Sequence, residues 1–276
     1  MKRHKIDISK IGTVEYLENR IRKHLTSIQS NPDMNFRIVL DKYLNLLRLC
    51  ILNEEELPNI INRAEIFVKY SILDIQRSFK NITLEIDGVS YNLNKYQNQS
   101  KQNNYNIFSL INLCLCFEFS DSMKELMILS LFEDESPYWI NATKYLKKVI
   151  SPESDTTNLI QYENIIENIS GKGLTTFISI GEDKLIESDD VKTLHQTIHN
   201  PILTLYKLAS QGDDNSFNKK LEDYTEEKRK YIGKFKKLHL FEYWIDFNAM
   251  GVCSYAKEKG IDIAYRTEYI PLLNKQ

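Results

Sequence analysis

With 276 residues, 42% of them hydrophobic and 27% charged, the chain is long enough for one large domain or two small ones with a sizeable core. A net charge of -2 excludes a global pull toward nucleic acid or an anionic membrane. Only 9 glycines and 6 prolines argue against an all-β sandwich with many tight turns, and for helices.

The basic N-terminus, MKRHKIDISK, is followed by no apolar core and reads as neither a signal peptide nor an anchor. No apolar run reaches the roughly 18 residues of a spanning helix. The longest, Ile107 to Phe119, contains Ser109, Asn112 and Glu118. The expectation is a cytoplasmic protein. Cys50, Cys114, Cys116 and Cys253 all lie in apolar helical surroundings, the setting of buried free thiols.

In chain order, Thr13 is placed to cap a helix from Val14 to Ser30, with Leu17, Ile21, Leu25 and Ile28 as its apolar stripe. Asn31-Pro32-Asp33 breaks it, and Asp33 is placed to cap a second helix carrying Phe36, Leu40, Tyr43, Leu44 and Leu47. A third starts near Pro58 and runs to about Phe79 through Ile61, Ala64, Val68, Ile72 and Ile75. Short breaks between successive helices predict antiparallel packing. Ile82–Ile86, then Asp87-Gly88, then Val89–Leu93 predicts a β-hairpin, because Asp-Gly suits a two-residue turn that needs positive φ at both positions. The polar segment 94–104 reads as a loop, and a subdivision of the chain would fall there.

Tyr105 to Phe119 is apolar nearly all round and predicts a central buried helix. Ser120-Asp121 is placed to cap the next, Ser122 to Phe132. Helical patterns follow over Tyr138–Val149 and Asn158–Ile169, while Leu174–Ile180 fits strand or helix. Ser188-Asp189-Asp190 precedes a helix with Leu194, Ile198, Ile202, Leu205 and Leu208, bent or divided at Pro201. After Gly212-Asp213-Asp214 comes another, with Phe217, Leu221, Tyr224, Lys228 and Tyr231. In the last helix Phe241, Ile245, Ala249, Val252 and Ala256 share one face, flanked by Trp244 and Phe247. Lys257 and Lys259 suit its negative end, and Gly260 suits its closing residue. Ile261-Asp262-Ile263 then runs extended toward Tyr269-Ile270-Pro271, a chain end apolar enough to be docked. Trp139 and Trp244 are expected in the core.

Site chemistry is sparse. His195 and His199 stand one helical turn apart, a spacing that serves metal sites, but Gln-Thr-Ile between them lacks a metalloprotease glutamate and no third ligand is tied to them. Cys114 and Cys116, two apart on a helix, diverge. Gly171-Lys172-Gly173 lacks the spacing and the following Ser/Thr of a phosphate loop. No Gly-x-Ser-x-Gly elbow occurs. The expectation is a protein that is not an enzyme, with no cofactor and no metal. The basic residues Lys228-Arg229-Lys230 to Lys236-Lys237 read as a solvated helix face, because the aromatics beside them sit at core spacing.

Three stretches resemble the immunity protein 49 family, the all-helical antidotes of bacterial polymorphic toxin systems. They are Ser109–Cys116 followed by Lys124–Met127; Leu205–Asp213 followed by Phe217, Leu221 and Lys228–Tyr231; and Ala256–Gly260 through Tyr269-Ile270-Pro271. The hairpin ahead of the central helices fits as well. The resemblance covers most of the chain, on packing and turn positions. It implies one all-α domain over 1–276, an antiparallel bundle or stacked helical hairpins with one small β-hairpin near 82–93. It also implies a binding protein in the producer's cytoplasm that blocks a cognate secreted toxin domain.

Two acidic stretches are candidates for the toxin-binding surface: Glu133, Asp134 and Glu135, and then Glu182, Asp183, Glu187, Asp189 and Asp190, offset only by Lys184. Nuclease toxins carry basic clefts for phosphate, which an acidic loop would fill. The same residues also suit a helix cap. The alternative function is a helical scaffold or peptide-binding module without a toxin partner, recognised by an extended groove.

Overall fold

The computed structural model describes residues 12–77, 80–96, 107–130, 200–234 and 245–271. It is mostly α-helical: among the described residues there are eight helices and one two-stranded antiparallel hairpin. The chain forms two compact units. One spans Lys5–Asn106 with His239–Ile245; the other draws on Met1–His4, Ile107–Leu238 and Asp246–Gln276.

In the first unit, α1 (Val14–Ser30) starts where the Thr13 hydroxyl accepts the Tyr16 N–H at 3.1 Å. It buries Leu17, Ile21, Leu25 and Ile28, as their spacing requires. The second helix, α2 (Arg37–Leu52), departs from expectation at its start. Asp33 does not cap it: the Asp33 carboxylate instead accepts the Asn94 side-chain amide at 3.0 Å. Asn35 takes over locally, its side-chain oxygen accepting the Arg37 N–H at 2.9 Å. α3 (Leu57–Gln76) opens with Pro58 in its first turn, where a missing N–H costs nothing. Its buried stripe enters through Ile60, with Ile61 half-buried beside it. α2 packs against both α1 and α3.

β1 (Ile82–Ile86) and β2 (Val89–Leu93) pair with Ile86 opposite Val89 and Ile82 opposite Leu93. Asp87 and Gly88 both take positive φ, 52° and 75°, which gives the turn the twist of the strands it joins. Ile82, Leu84, Ile86 and Leu93 are buried, β1 lying against α3 and β2 against α1. The Tyr70 hydroxyl donates to the Glu85 carbonyl at 3.2 Å and ties the hairpin to α3.

Arg77, only 1% exposed, organises the end of this unit. Its guanidinium donates to the carbonyls of Pro32 (2.8 Å), Met34 (2.9 Å) and Asn94 (2.5 Å) and lies 4.1 Å from the Tyr96 ring centroid. One side chain thereby closes the α1–α2 connection against the strand exit. Beside it the Asp74 carboxylate accepts the Tyr96 hydroxyl at 2.6 Å. Burial pushes the Asp74 carboxyl up to about 6, against the opposing pull of the Tyr96 hydrogen bond, Arg77 and Arg37.

In the second unit, α4 (Ile107–Phe117) buries Leu110, Ile111, Asn112, Leu113, Cys114 and Cys116, nearly its whole described circumference. α5 (Ser120–Ser130) takes in Ser120 and Asp121 as its first turn, because Phe119 already accepts the Met123 N–H at 3.0 Å and so opens the helix. α6 (Asn200–Gln211) carries Pro201 at the edge of the described residues, and the helix expected ahead of that proline lies outside them. α7 (Asp214–Lys234) is capped by Asp213, whose carboxylate accepts the Ser216 N–H at 3.0 Å. α8 (Phe247–Glu258) packs on α4 and on α6, and α6 packs on α7. The α4–α8 contact is close because Gly251 has no side chain: a Cβ there would sit 2.7 Å from the Asn112 Cα. Trp139, Trp244, Leu194, Ile198 and the helices expected over 138–149 and 158–169 lie outside the described residues. All four cysteines are free and buried.

Two substitutions test this packing. Gly251→Ala drives a methyl into the Asn112 backbone and is expected to cost about 1–3 kcal/mol, read from the urea midpoint. An unchanged midpoint would show that α4 and α8 do not touch there. For Asp74 the folded carboxyl sits above its ordinary 3.8, so its penalty is absent below that value and complete once pH passes about 6. Asp74→Asn is therefore expected to stabilise the protein at pH 7 and to change little at pH 4 in pH-resolved denaturation curves.

Candidate functional site

The best-defined polar construction in the described C-terminal part is centred on Asp246, which sequence periodicity had placed inside the last helix. Asp246 instead stands outside α8 and caps it: its Oδ1 accepts the Ala249 N–H at 3.0 Å. The helix therefore begins at Phe247, and Ile245 lies before it. The other carboxylate oxygen, Oδ2, accepts the Tyr224 hydroxyl at 2.6 Å and the Lys228 ammonium, both from α7. Its backbone N–H donates to the Tyr269 carbonyl at 2.9 Å. One residue joins the start of α8, the middle of α7 and the C-terminal tail.

Lys228 is 4% exposed and Asp246 4%. Lys228 thus leaves the solvated basic face expected for it and turns inward. Desolvating both charges is costly, and their attraction offsets that cost only when the remaining lone pairs are filled. Here they are, by Tyr224 and by the Ala249 N–H. Burial alone would raise the Asp246 carboxyl. The Lys228 charge and the hydrogen bonds from Lys228, Tyr224 and Ala249 outweigh it and hold the carboxyl below the usual range. Burial and the facing Asp246 carboxylate push the Tyr224 phenol well up, so it stays a donor.

The tail is held a second time by Asn218 on α7. Its amide donates to the carbonyls of Asp214 (2.9 Å) and Asp262 (2.7 Å), and its oxygen accepts the N–H groups of Ala264 (2.8 Å) and Tyr265 (3.1 Å). This side chain satisfies an extended segment as a neighbouring strand would. Ile261, Ile263, Tyr269 and Ile270 are buried beneath it, so the chain end is docked as its composition predicts. Gly260, at φ 82°, closes α8 as expected. A further buried bond joins the Tyr206 hydroxyl of α6 to the Asn112 side-chain oxygen of α4 at 2.6 Å.

The outer face of α7 is charged and largely self-paired. Lys219 pairs with Glu222 (3.2 Å) and Asp223 (3.1 Å), and Arg229 pairs with Glu226 (2.8 Å). The proposed toxin-binding residues Glu133, Asp134, Glu135, Glu182, Asp183, Glu187, Asp189 and Asp190 lie outside the described residues, as do His195 and His199. Among the described residues no group of three or more His, Cys, Asp or Glu could hold a metal ion. No described helix is long and apolar enough to cross a membrane. Sequence reasoning missed Asp246, Lys228 and Asn218. A signal for the first was present, since Asp246 followed by Phe247, Asn248 and Ala249 fits a helix start.

Lys228→Met is expected to strand the Asp246 charge and cost about 3–5 kcal/mol at neutral pH. The folded Asp246 carboxyl is lowered, so its stabilisation is present above the unfolded value and lost as pH falls through the folded one. The gap between wild type and variant should therefore narrow in acid, in urea curves run across pH. A gap independent of pH would show that Lys228 contributes packing alone.

No curated protein and no solved structure matches the chain. A protein-family model does match, over the part of the chain that contains α6, α7, the Asp246 junction and the tail. Residues 173–272 fit the family described as Immunity protein 49, the same family that the motifs of the sequence resemble.

Proposed function

We propose that the chain is an immunity protein that binds a cognate secreted toxin domain and neutralises it by covering its active site, without catalysis of its own. The family match over residues 173–272 carries this reading. The described polar groups of that stretch support it: Asp246, Lys228, Tyr224 and Asn218 are spent on joining α7, α8 and the tail. Such a construction suits a preorganised surface, which lowers the entropic cost of association. The place of action is the producer's cytoplasm, and neither nucleic acid nor membrane is a partner.

Within this reading the toxin is a nuclease and the acidic stretches enter its basic cleft. Glu182, Asp183, Glu187, Asp189 and Asp190 fall inside the matched residues, whereas Glu133, Asp134 and Glu135 fall outside, so the second stretch is the stronger candidate. An acidic loop steers encounter with a cationic cleft and excludes the phosphate backbone from it.

The test is co-expression. The C-terminal domain of the neighbouring large secreted protein is induced in a test host with and without this chain. Growth rescue with a co-purifying complex is expected, and Asp189→Lys with Asp190→Lys should slow association about tenfold or more at low salt. Persistent toxicity beside soluble, folded chain would overturn the pairing and favour the scaffold alternative.

A further inference from the structure

The α1–α2 surface of the first unit carries a cluster of cations. Tyr16, Arg20 and Lys23 follow at intervals of four and three, so they share one face of α1. Tyr16 is 52% exposed, and Arg20 and Lys23 are exposed. His24 lies at the flank of that face, and Lys42 comes in from α2. Among the described residues, Arg20, Lys23 and Lys42 make no ion pair, while Arg63 on neighbouring α3 is paired with Glu18 at 3.1 Å. The groups that act on His24 are Arg20, Lys42 and Lys23, all cationic. Its Nε2 is shielded from solvent and has no hydrogen-bond partner. Like charges one turn apart on a helix destabilise it by a few tenths of a kcal/mol. Here that cost is incurred at Arg20–Lys23, and no ion pair among the described residues offsets it.

We propose that this face of α1, with Lys42 of α2, is a docking surface for an acidic protein segment. Charge complementarity sets the sign of the partner. The exposed Tyr16 one turn before Arg20 sets its class, because tyrosine and arginine are the side chains that most often anchor protein–protein contacts. A polynucleotide would require a groove that tracks the backbone with several stacking aromatics. A convex helix face about 10 Å long with one exposed aromatic fits a short acidic segment better. This surface has the opposite sign to the acidic stretches assigned to the toxin's basic cleft. It is a separate binding event, and its failure would leave the immunity reading untouched.

His24 reports on occupancy. Burial and then Arg20, Lys42 and Lys23 hold its imidazole below the ordinary 6.5. A bound carboxylate would offset those three cations and raise it. Among the described residues, the titratable and charged groups that bear on it are these three; hairpin and α3 residues do not enter.

The experiment uses the full chain and a fluorescein-labelled octaglutamate peptide at low salt, with an octalysine peptide and single-stranded oligothymidylate as comparison probes. Saturable octaglutamate binding is expected, weakened about tenfold or more in the triple variant Arg20→Glu, Lys23→Glu, Lys42→Glu. The His24 imidazole titration, followed by NMR, should move to higher pH when the peptide is bound. If the triple variant loses its circular-dichroism spectrum, Lys23→Glu alone, on an exposed site, should weaken binding by about threefold. Equal binding by wild type and the folded variants would overturn the proposal, as would an unmoved His24 titration. Tighter binding of oligothymidylate than of octaglutamate at the same salt would overturn it in favour of a phosphate-binding face.

Discussion

The described part of the second unit depends on one buried carboxylate. Asp246 fills three roles that are usually distributed: helix cap, ion-pair partner and anchor for the tail. A carboxylate with no water around it is stable only if every lone pair is occupied, so its presence fixes the position of Tyr224, Lys228 and Ala249 together. The constraint propagates. α7 must present Tyr224 and Lys228 one turn apart on its inner side, which leaves its outer side to Lys219, Glu222, Asp223 and Lys230. α8 must begin at Phe247, which puts Gly251 against Asn112 and lets the two backbones approach.

The first unit uses a cation for a comparable purpose. Arg77 satisfies three carbonyls that no helix or strand would reach, and the Tyr96 ring covers its remaining face. Guanidinium suits this role because its donors form a rigid fork and its weak hydration makes burial less costly. In both units, a single long-range polar contact fixes segments that apolar packing alone would leave free to slide. Hydrophobic burial drives the collapse, and these directional bonds select one register within it.

Elements encoded by neighbouring residues could be read directly from the sequence. α1 with its Thr13 cap and the Asp87-Gly88 hairpin came out at their observed boundaries, because cap, stripe and turn lie within a few residues of each other. The starts of α2 and α8 did not. Asp33 looked like a cap until Asn94, 61 residues away, took its carboxylate. The periodic row Phe241, Ile245, Ala249 hid a cap at Asp246 whose carboxylate is held from α7. Lys228 read as solvated because nothing near it in sequence announces a buried anion 18 residues on. The family resemblance, carried by packing and turn positions, was legible. A binding surface is chosen by its partner, and the chain's own folding rules leave no periodic trace of it.

The docked tail bears on synthesis. The contacts that hold α7 and the start of α8 form after those elements are made: Asn218 waits for Asp262, Ala264 and Tyr265, and Asp246 waits for Tyr269. α4, apolar nearly all round, emerges from the ribosome well over a hundred residues earlier than its partner α8. α5, next in the chain, packs on α4 at once, but the face of α4 that meets Gly251 stays open until α8 is made.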